Sequence, residues 1–130
     1  MKGKGHRAFT PRPMLNLEIM TLSEKQRKFT VMVGVLIRWA DDRQYGLTFG
    51  HAWRDTETQR RLVEQKLSKT MQSRHCDRLA VDLNLFINGN YASKTEDYKL
   101  LGEFWKTLDP LNRWGGDWSF GDGNHFEYGG

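Results

Sequence analysis

Between Leu79 and Asn88 the chain changes character at every residue. Leu79, Val81, Leu83, Leu85 and Ile87 are aliphatic, and Ala80, Asp82, Asn84, Phe86 and Asn88 fall between them. Side chains that repeat with a period of two stand on opposite faces of a strand. The segment therefore reads as a β-strand with one strongly apolar face, which another layer must cover. The same alternation gives Asp82 a direction: it projects opposite the aliphatic stripe, between Ala80 and Asn84, and the small Ala80 leaves room beside its carboxylate. Asn88-Gly89-Asn90 follows as a turn.

The covering layer is legible as helices. Phe29, Met32, Val33, Leu36, Ile37 and Ala40 recur at helical spacing, and Ser23 with Gln26 resembles a capping box, predicting a first helix over about 23–41. Thr56 with Gln59 opens a second helix through about Thr70, with Leu62, Val63 and Leu67 as its inner stripe. Ser93 with Glu96 opens a third, with Tyr98, Leu101, Phe104, Trp105 and Leu108 inward, and Asp109-Pro110 stops it. Tyr45 to Phe49 and Asn124 to Tyr128 are short enough and apolar enough to add strands. The expected architecture is α+β, a small and mainly antiparallel sheet packed with about three helices.

Residues 1–19 lack a sustained period and contain Gly3, Gly5, Pro11 and Pro13, so they read as a flexible basic extension to a single domain over 20–130. Met20, just before the first helix signal, is an alternative start. The net charge is +4, and Lys2, Lys4, Arg7 and Arg12 against Glu18 place +3 of it in the first twenty residues. A nucleic-acid-binding domain would spread its cations over a face of the folded body, so nucleic acid is not expected as a partner. The longest apolar run, Val31 to Ile37, is too short to span a bilayer, and no secretory signal pattern is present. A single cysteine, Cys76, excludes an internal disulfide.

Four residues other than Asp82 suggest chemistry. His75 lies in the approach to the strand, and His125 sits in the last strand with Glu127 on the same face at i+2. Two imidazoles and a carboxylate form the mixed donor set that Zn²⁺ accepts, with a fourth position left for water. Asp122, three residues before His125 across a Gly123-Asn124 turn, is placed to act as a base on that water, and Glu127 could orient His125 through its second ring nitrogen. The residues alone leave a second reading open, in which Asp82 caps a turn and His125 is a satisfied, partly buried histidine.

Ser73-Arg74-His75-Cys76-Asp77-Arg78-Leu79-Ala80-Val81-Asp82 resembles the Ser-x-His-x(6)-Asp signature of the zinc D-alanyl-D-alanine carboxypeptidase and L-alanyl-D-glutamate endopeptidase family. Asp122-Gly123-Asn124-His125 resembles that family's second motif, and Trp114-Gly115-Gly116-Asp117-Trp118 with Phe126-Glu127 is similar to its phage endolysin branch. The resemblance implies a hedgehog/D-Ala-D-Ala-peptidase-like fold and one zinc ion held by His75, Asp82 and His125. It implies Asp122 as catalytic acid/base and Arg54 as a stabiliser of the developing oxyanion. Ser73, Glu127 and Trp114 would contact substrate or support the ligands. The family often has glycine three residues after the first histidine, where this chain has Arg78; Cys76 is expected to be a spectator. Trp114, Trp118 and Phe120 read either as packing or as a wall for the peptide stem.

The implied activity is hydrolysis of the L-alanyl-D-glutamate bond of the bacterial peptidoglycan stem by a monomeric endolysin. Such an enzyme would be made in the host cytoplasm without a signal peptide and act at the periplasmic wall. Two alternatives stand beside it: a D,D-carboxypeptidase or dipeptidase on the same scaffold, and a non-catalytic wall-binding domain that keeps the zinc ligands.

Overall fold

The computed structural model describes residues 19–68 and 70–130. Apart from Ile19, the basic extension expected over 1–19 lies outside them. The elements in chain order are α1 (Leu22–Asp42), β1 (Tyr45–Phe49), α2 (Thr56–Glu64), β2 (Ala80–Ile87), β3 (Asn90–Ala92), α3 (Lys99–Thr107), β4 (Asn112–Trp114) and β5 (His125–Tyr128). The sheet runs β1-β2-β5-β4 with β3 also on β2, and every pairing is antiparallel. This is the α+β arrangement that the sequence pattern predicts.

The aliphatic stripe of β2 does what its period requires. Leu79, Val81, Leu83 and Leu85 are buried together with Phe29, Met32, Leu36 and Ala40 of α1, and with Leu101 and Trp105 of α3. Trp105 also ties helix to sheet. Its Nε1–H points at the backbone oxygens of Arg113 and Glu127, both at 3.1 Å, while its ring meets the edges of Phe29 and Phe126. A tryptophan with a satisfied N–H supplies both burial and a fixed point, and here that point fixes β4 and β5. At the end of α3, Asp109 pairs with Lys28 of α1 at 2.7 Å and accepts from the Leu111 amide, so the helix stops where Asp109-Pro110 predicts. No helix among the described residues is long and apolar enough to cross a membrane.

The helix boundaries differ from the sequence reading in instructive ways. The cap of α1 is Thr21, not Ser23: its side chain accepts from the Glu24 amide at 3.1 Å, and Glu24 Oε1 accepts from the Thr21 amide at 2.8 Å. Asp55, not Thr56, caps α2, accepting from the Thr58 amide at 2.6 Å. The predicted extension of α2 to Thr70 does not occur. Lys66 turns to φ +62°, its amide reaches Val63 O, and the Leu67 amide reaches Leu62 O at 2.8 Å. That bond pattern is a Schellman stop with lysine where glycine is usual, which removes the composition signal for it. Leu67 consequently leaves the inner stripe and is 72% exposed. Ser93 and Glu96 form no cap, and the third helix begins with a 3-10 turn over Thr95–Tyr98. Strands β3 and β4, three residues each, are too short to show a period.

The cap assignment gives a measurable contrast. Thr21→Ala should cost about 1 kcal/mol of stability in urea unfolding, the usual loss for a capping hydroxyl. Ser23→Ala should stay within about 0.5 kcal/mol, as for an ordinary surface change.

Candidate metal centre

Two strands and one turn bring the centre together. In the antiparallel pairing of β2 with β5, Asp82 and His125 are direct partners, so both side chains leave the same face of the sheet. His75 comes from the turn before β2, which is wound tightly: Cys76 N reaches Ser73 O, Asp77 N and Leu79 N reach Arg74 O, and Arg78 N reaches His75 O. Arg78 closes this turn at φ +60°, the left-handed conformation that glycine adopts most readily. The departure from the family pattern is therefore a residue under backbone strain, with its guanidinium resting over the Trp53 ring at 4.7 Å.

The result is a compact donor set. Asp82 Oδ1 lies 3.2 Å from His75 Nε2 and 3.3 Å from His125 Nδ1. One ligand atom from each of the three residues lies within 4.8 Å of the others. His75 is 1% exposed and His125 6%. The contact of His75 with Asp82 lacks hydrogen-bond alignment, and among the described residues neither His75 ring nitrogen has a hydrogen-bond partner. A buried imidazole left without partners is costly, and a metal ion is a partner that this donor chemistry fits. Cys76 stands outside the group, and burial pushes its thiol up, away from the thiolate form that binds metal.

Charge is organised around Asp82. Burial alone would raise its carboxyl, but His125 and His75 outweigh burial and hold it well below the usual carboxylate range. Burial would likewise lower His125, yet Asp82 and Glu127 push it up to about 9. His75 moves the other way, because burial depresses it more than Asp82 can raise it. Asp122 is raised by burial, against the pull of His125. Burial would raise Glu127 too, but His125 and Arg113 hold it low, so Asp122 is the one carboxyl of the cluster that is raised, the separation expected between ligand-side carboxylates and an acid/base.

Further side chains surround the three candidates, two of them not singled out from the sequence. Glu127 Oε1 contacts His125 Nε2 at 2.7 Å, and Glu127 Oε2 accepts from Arg113 Nε at 2.7 Å. This fixes the imidazole so that Nδ1 faces Asp82. Asp122 Oδ2 lies 3.9 Å from His125 Nδ1 at the lip of the site. Arg54 donates from Nε to His51 Nδ1 at 2.6 Å, from Nη1 to Gln59 Oε1 at 3.0 Å and from Nη2 to Asp82 Oδ2 at 3.4 Å. Ser73 Oγ accepts from the His75 amide at 3.1 Å and so shapes the turn. Trp114 is buried rather than exposed to a ligand. Its Nε1–H donates to Gly123 O at 2.7 Å, and a Cβ at Gly102 or Gly116 would come within 2.1 Å of its ring. It acts on the site by holding the loop that carries Asp122. Trp118 instead packs its ring on His125, with centroids 4.8 Å apart, and with Phe120 lines the cleft.

His51 and Gln59 are the residues that sequence reasoning missed. Gln59 interrupts the stripe it shares with Leu62 and Val63, and a buried amide at that position is the signal that could have found it. Its Nε2–H₂ donates to Ser68 Oγ and Thr70 O, so it links Arg54 to the chain that follows α2. His51 offers no such sign.

The centre opens into a cleft of about 530 Å³ that Arg54, Ser73, His75, Asp122 and His125 line. Residues 66–128, which carry all three metal-binding candidates and Asp122, match the family model described as D-alanyl-D-alanine carboxypeptidase. Over these residues the chain resembles this family. This match and the donor set support a hydrolase of the metallopeptidase class. No curated protein matches it in sequence. Among solved structures it is similar to the Serratia marcescens L-Ala D-Glu endopeptidase ChiX, with a TM-score of 0.67 and 20% identity over 89% of this chain and 95% of that one. At that identity the likeness is one of fold, and it matches the peptidase-like architecture that the motifs imply.

The contact between Glu127 and His125 predicts a measurable loss. Glu127→Ala should weaken metal binding about 10–100-fold in a chelator-competition titration, the usual consequence of removing the carboxylate behind a ligating histidine.

Proposed function

We propose that the protein is a zinc-dependent endolysin that hydrolyses the L-alanyl-D-glutamate bond of the peptidoglycan peptide stem. The observation that carries this reading is Asp122, a carboxylate with a raised pKa at the mouth of a cleft, 3.9 Å from a nitrogen of the metal-binding candidate His125. A domain that only held a metal would have no use for it. The family-model match supports peptidase action on peptidoglycan, and the Trp114 to Trp118 motif supports the phage-type branch.

When bound, zinc would be held by His75, Asp82 and His125 and would supply Lewis acidity together with water acidified towards neutral pH. The chain's own residues do the rest. Asp122 accepts a proton as the water oxygen bonds to the scissile carbonyl carbon. It then returns a proton to the amine nitrogen as the carbon–nitrogen bond breaks, so one group serves as base and then acid. Arg54, which lines the cleft beside Asp82, supplies positive charge for the oxygen that becomes anionic. Glu127 holds the His125 imidazole in orientation, Ser73 shapes the turn that carries His75, and Trp118 shields one side of His125 from water. The enzyme is read as a monomer made in the host cytoplasm and acting at the cell wall.

A second reading, D,D-carboxypeptidase activity, is favoured by the description of the matched family model. Digestion of purified peptidoglycan followed by mass spectrometry separates the two. New D-glutamate amino termini that vanish with chelator are expected; free D-alanine would favour the carboxypeptidase instead. Asp122→Ala should lower turnover by about 10²–10⁴-fold, the range for a lost acid/base, with zinc content unchanged. Unchanged lysis would mean that the domain binds the wall without cutting it.

A further inference from the structure

The cleft has an uneven distribution of charge that the hydrolytic steps do not use. Four cations line it: Arg54, Lys66, Arg74 and Arg113. Two of these are committed, Arg54 to Asp82 at 3.4 Å and Arg113 to Glu127 at 2.7 Å. The other two pair with no described carboxylate. Arg74 reaches only the backbone oxygens of Gly130 and Gly129, at 3.4 and 3.5 Å, and Lys66 is exposed. Both belong to the connection between α2 and β2, whose Ser68, Thr70 and Gln72 give the same wall hydroxyl and amide groups. Lys66 also sits at φ +62°, where glycine would be the less strained residue. A long cationic side chain in the left-handed position, turned to a catalytic cleft, is strain placed at a functional surface.

We propose that Lys66 and Arg74 form a carboxylate-reading wall that makes the anionic half of the peptide stem a specificity requirement. The inference rests on the peptidoglycan reading above. On the C-terminal side of the L-alanyl-D-glutamate bond, the stem carries the free carboxylates of D-glutamate and of the diamino acid. The muramyl-alanyl side offers neutral amide and hydroxyl groups. Two cations lining the cleft, Lys66 and an Arg74 held only by long bonds to backbone oxygens, bind the first kind of group through charge-assisted hydrogen bonds, and so select substrates whose carboxylates are free over amidated ones.

The test uses metal-loaded, full-length protein and disaccharide–tripeptide muropeptides with their carboxylates either free or amidated. For the wild type, amidation should raise KM about tenfold, the effect of losing one charge-assisted hydrogen bond, while kcat changes little. In Lys66→Gly and Arg74→Gln that preference should shrink towards unity through a higher KM for the free acid. Lys66→Gly is the cleaner variant, because glycine tolerates the local backbone and should keep the thermal midpoint at or above that of the wild type. A loss of preference in a protein of undiminished stability cannot be assigned to misfolding. Equal use of both muropeptides by the wild type, or a full preference retained in both variants, would overturn the inference and leave the hydrolase reading intact. Cleavage of neither muropeptide would overturn that reading and the inference together.

Discussion

Asp82 and His125 face each other across β2 and β5, and the rest of the site depends on that register. A slip of one residue would send Asp82 into the core among Val81 and Leu83, and would turn His125 away from it. The aliphatic stripe prevents the slip, because moving it would expose four buried side chains to water. Core packing and the geometry of the candidate metal site are therefore one constraint on two faces of a single strand. Trp105 secures it from below by bonding to the backbone of Glu127, the residue that orients His125.

Electrostatics completes what the register begins. Asp82 takes contacts from two imidazoles and a guanidinium, so its negative charge is surrounded on the cleft side. Asp122 is outside that shell and feels burial more than it feels positive charge, which is why the two carboxylates diverge. The chain from Arg113 through Glu127 to His125 gives the second imidazole a fixed direction. Among the described residues the His75 ring nitrogens have no such partner, and the ring stands edge-on to those of His51 and His125.

Much of this was legible in the sequence because strand alternation is local and strong. Asp82 could be placed on its face from ten residues, and Glu127 could be placed beside His125 by the same rule. The two histidines needed the motif resemblance, since a turn and a four-residue strand carry little periodicity. The boundaries were lost where a residue does the work of a different one. Lys66 ends α2 in a glycine-like conformation, and Arg78 closes the histidine turn in the same way. Composition gives no warning of either. Gln59 and His51 were missed because what they support, the Arg54 guanidinium, is assembled from three separate segments. Trp114 was recognised as near the site, but its role emerged only from packing: it is confined between Gly102 and Gly116 and grips the loop that bears Asp122.

The fold offers two imidazoles and one carboxylate, and no thiolate, as a donor set for one metal ion. X-ray absorption at the zinc edge of the loaded protein addresses it directly. One zinc per chain is expected in a shell of nitrogen and oxygen at about 2.0–2.2 Å, with the outer scattering of two imidazoles. A sulfur neighbour at about 2.3 Å, which Cys76 alone is placed to provide among the described residues near the site, or the scattering of fewer than two imidazoles, would contradict it.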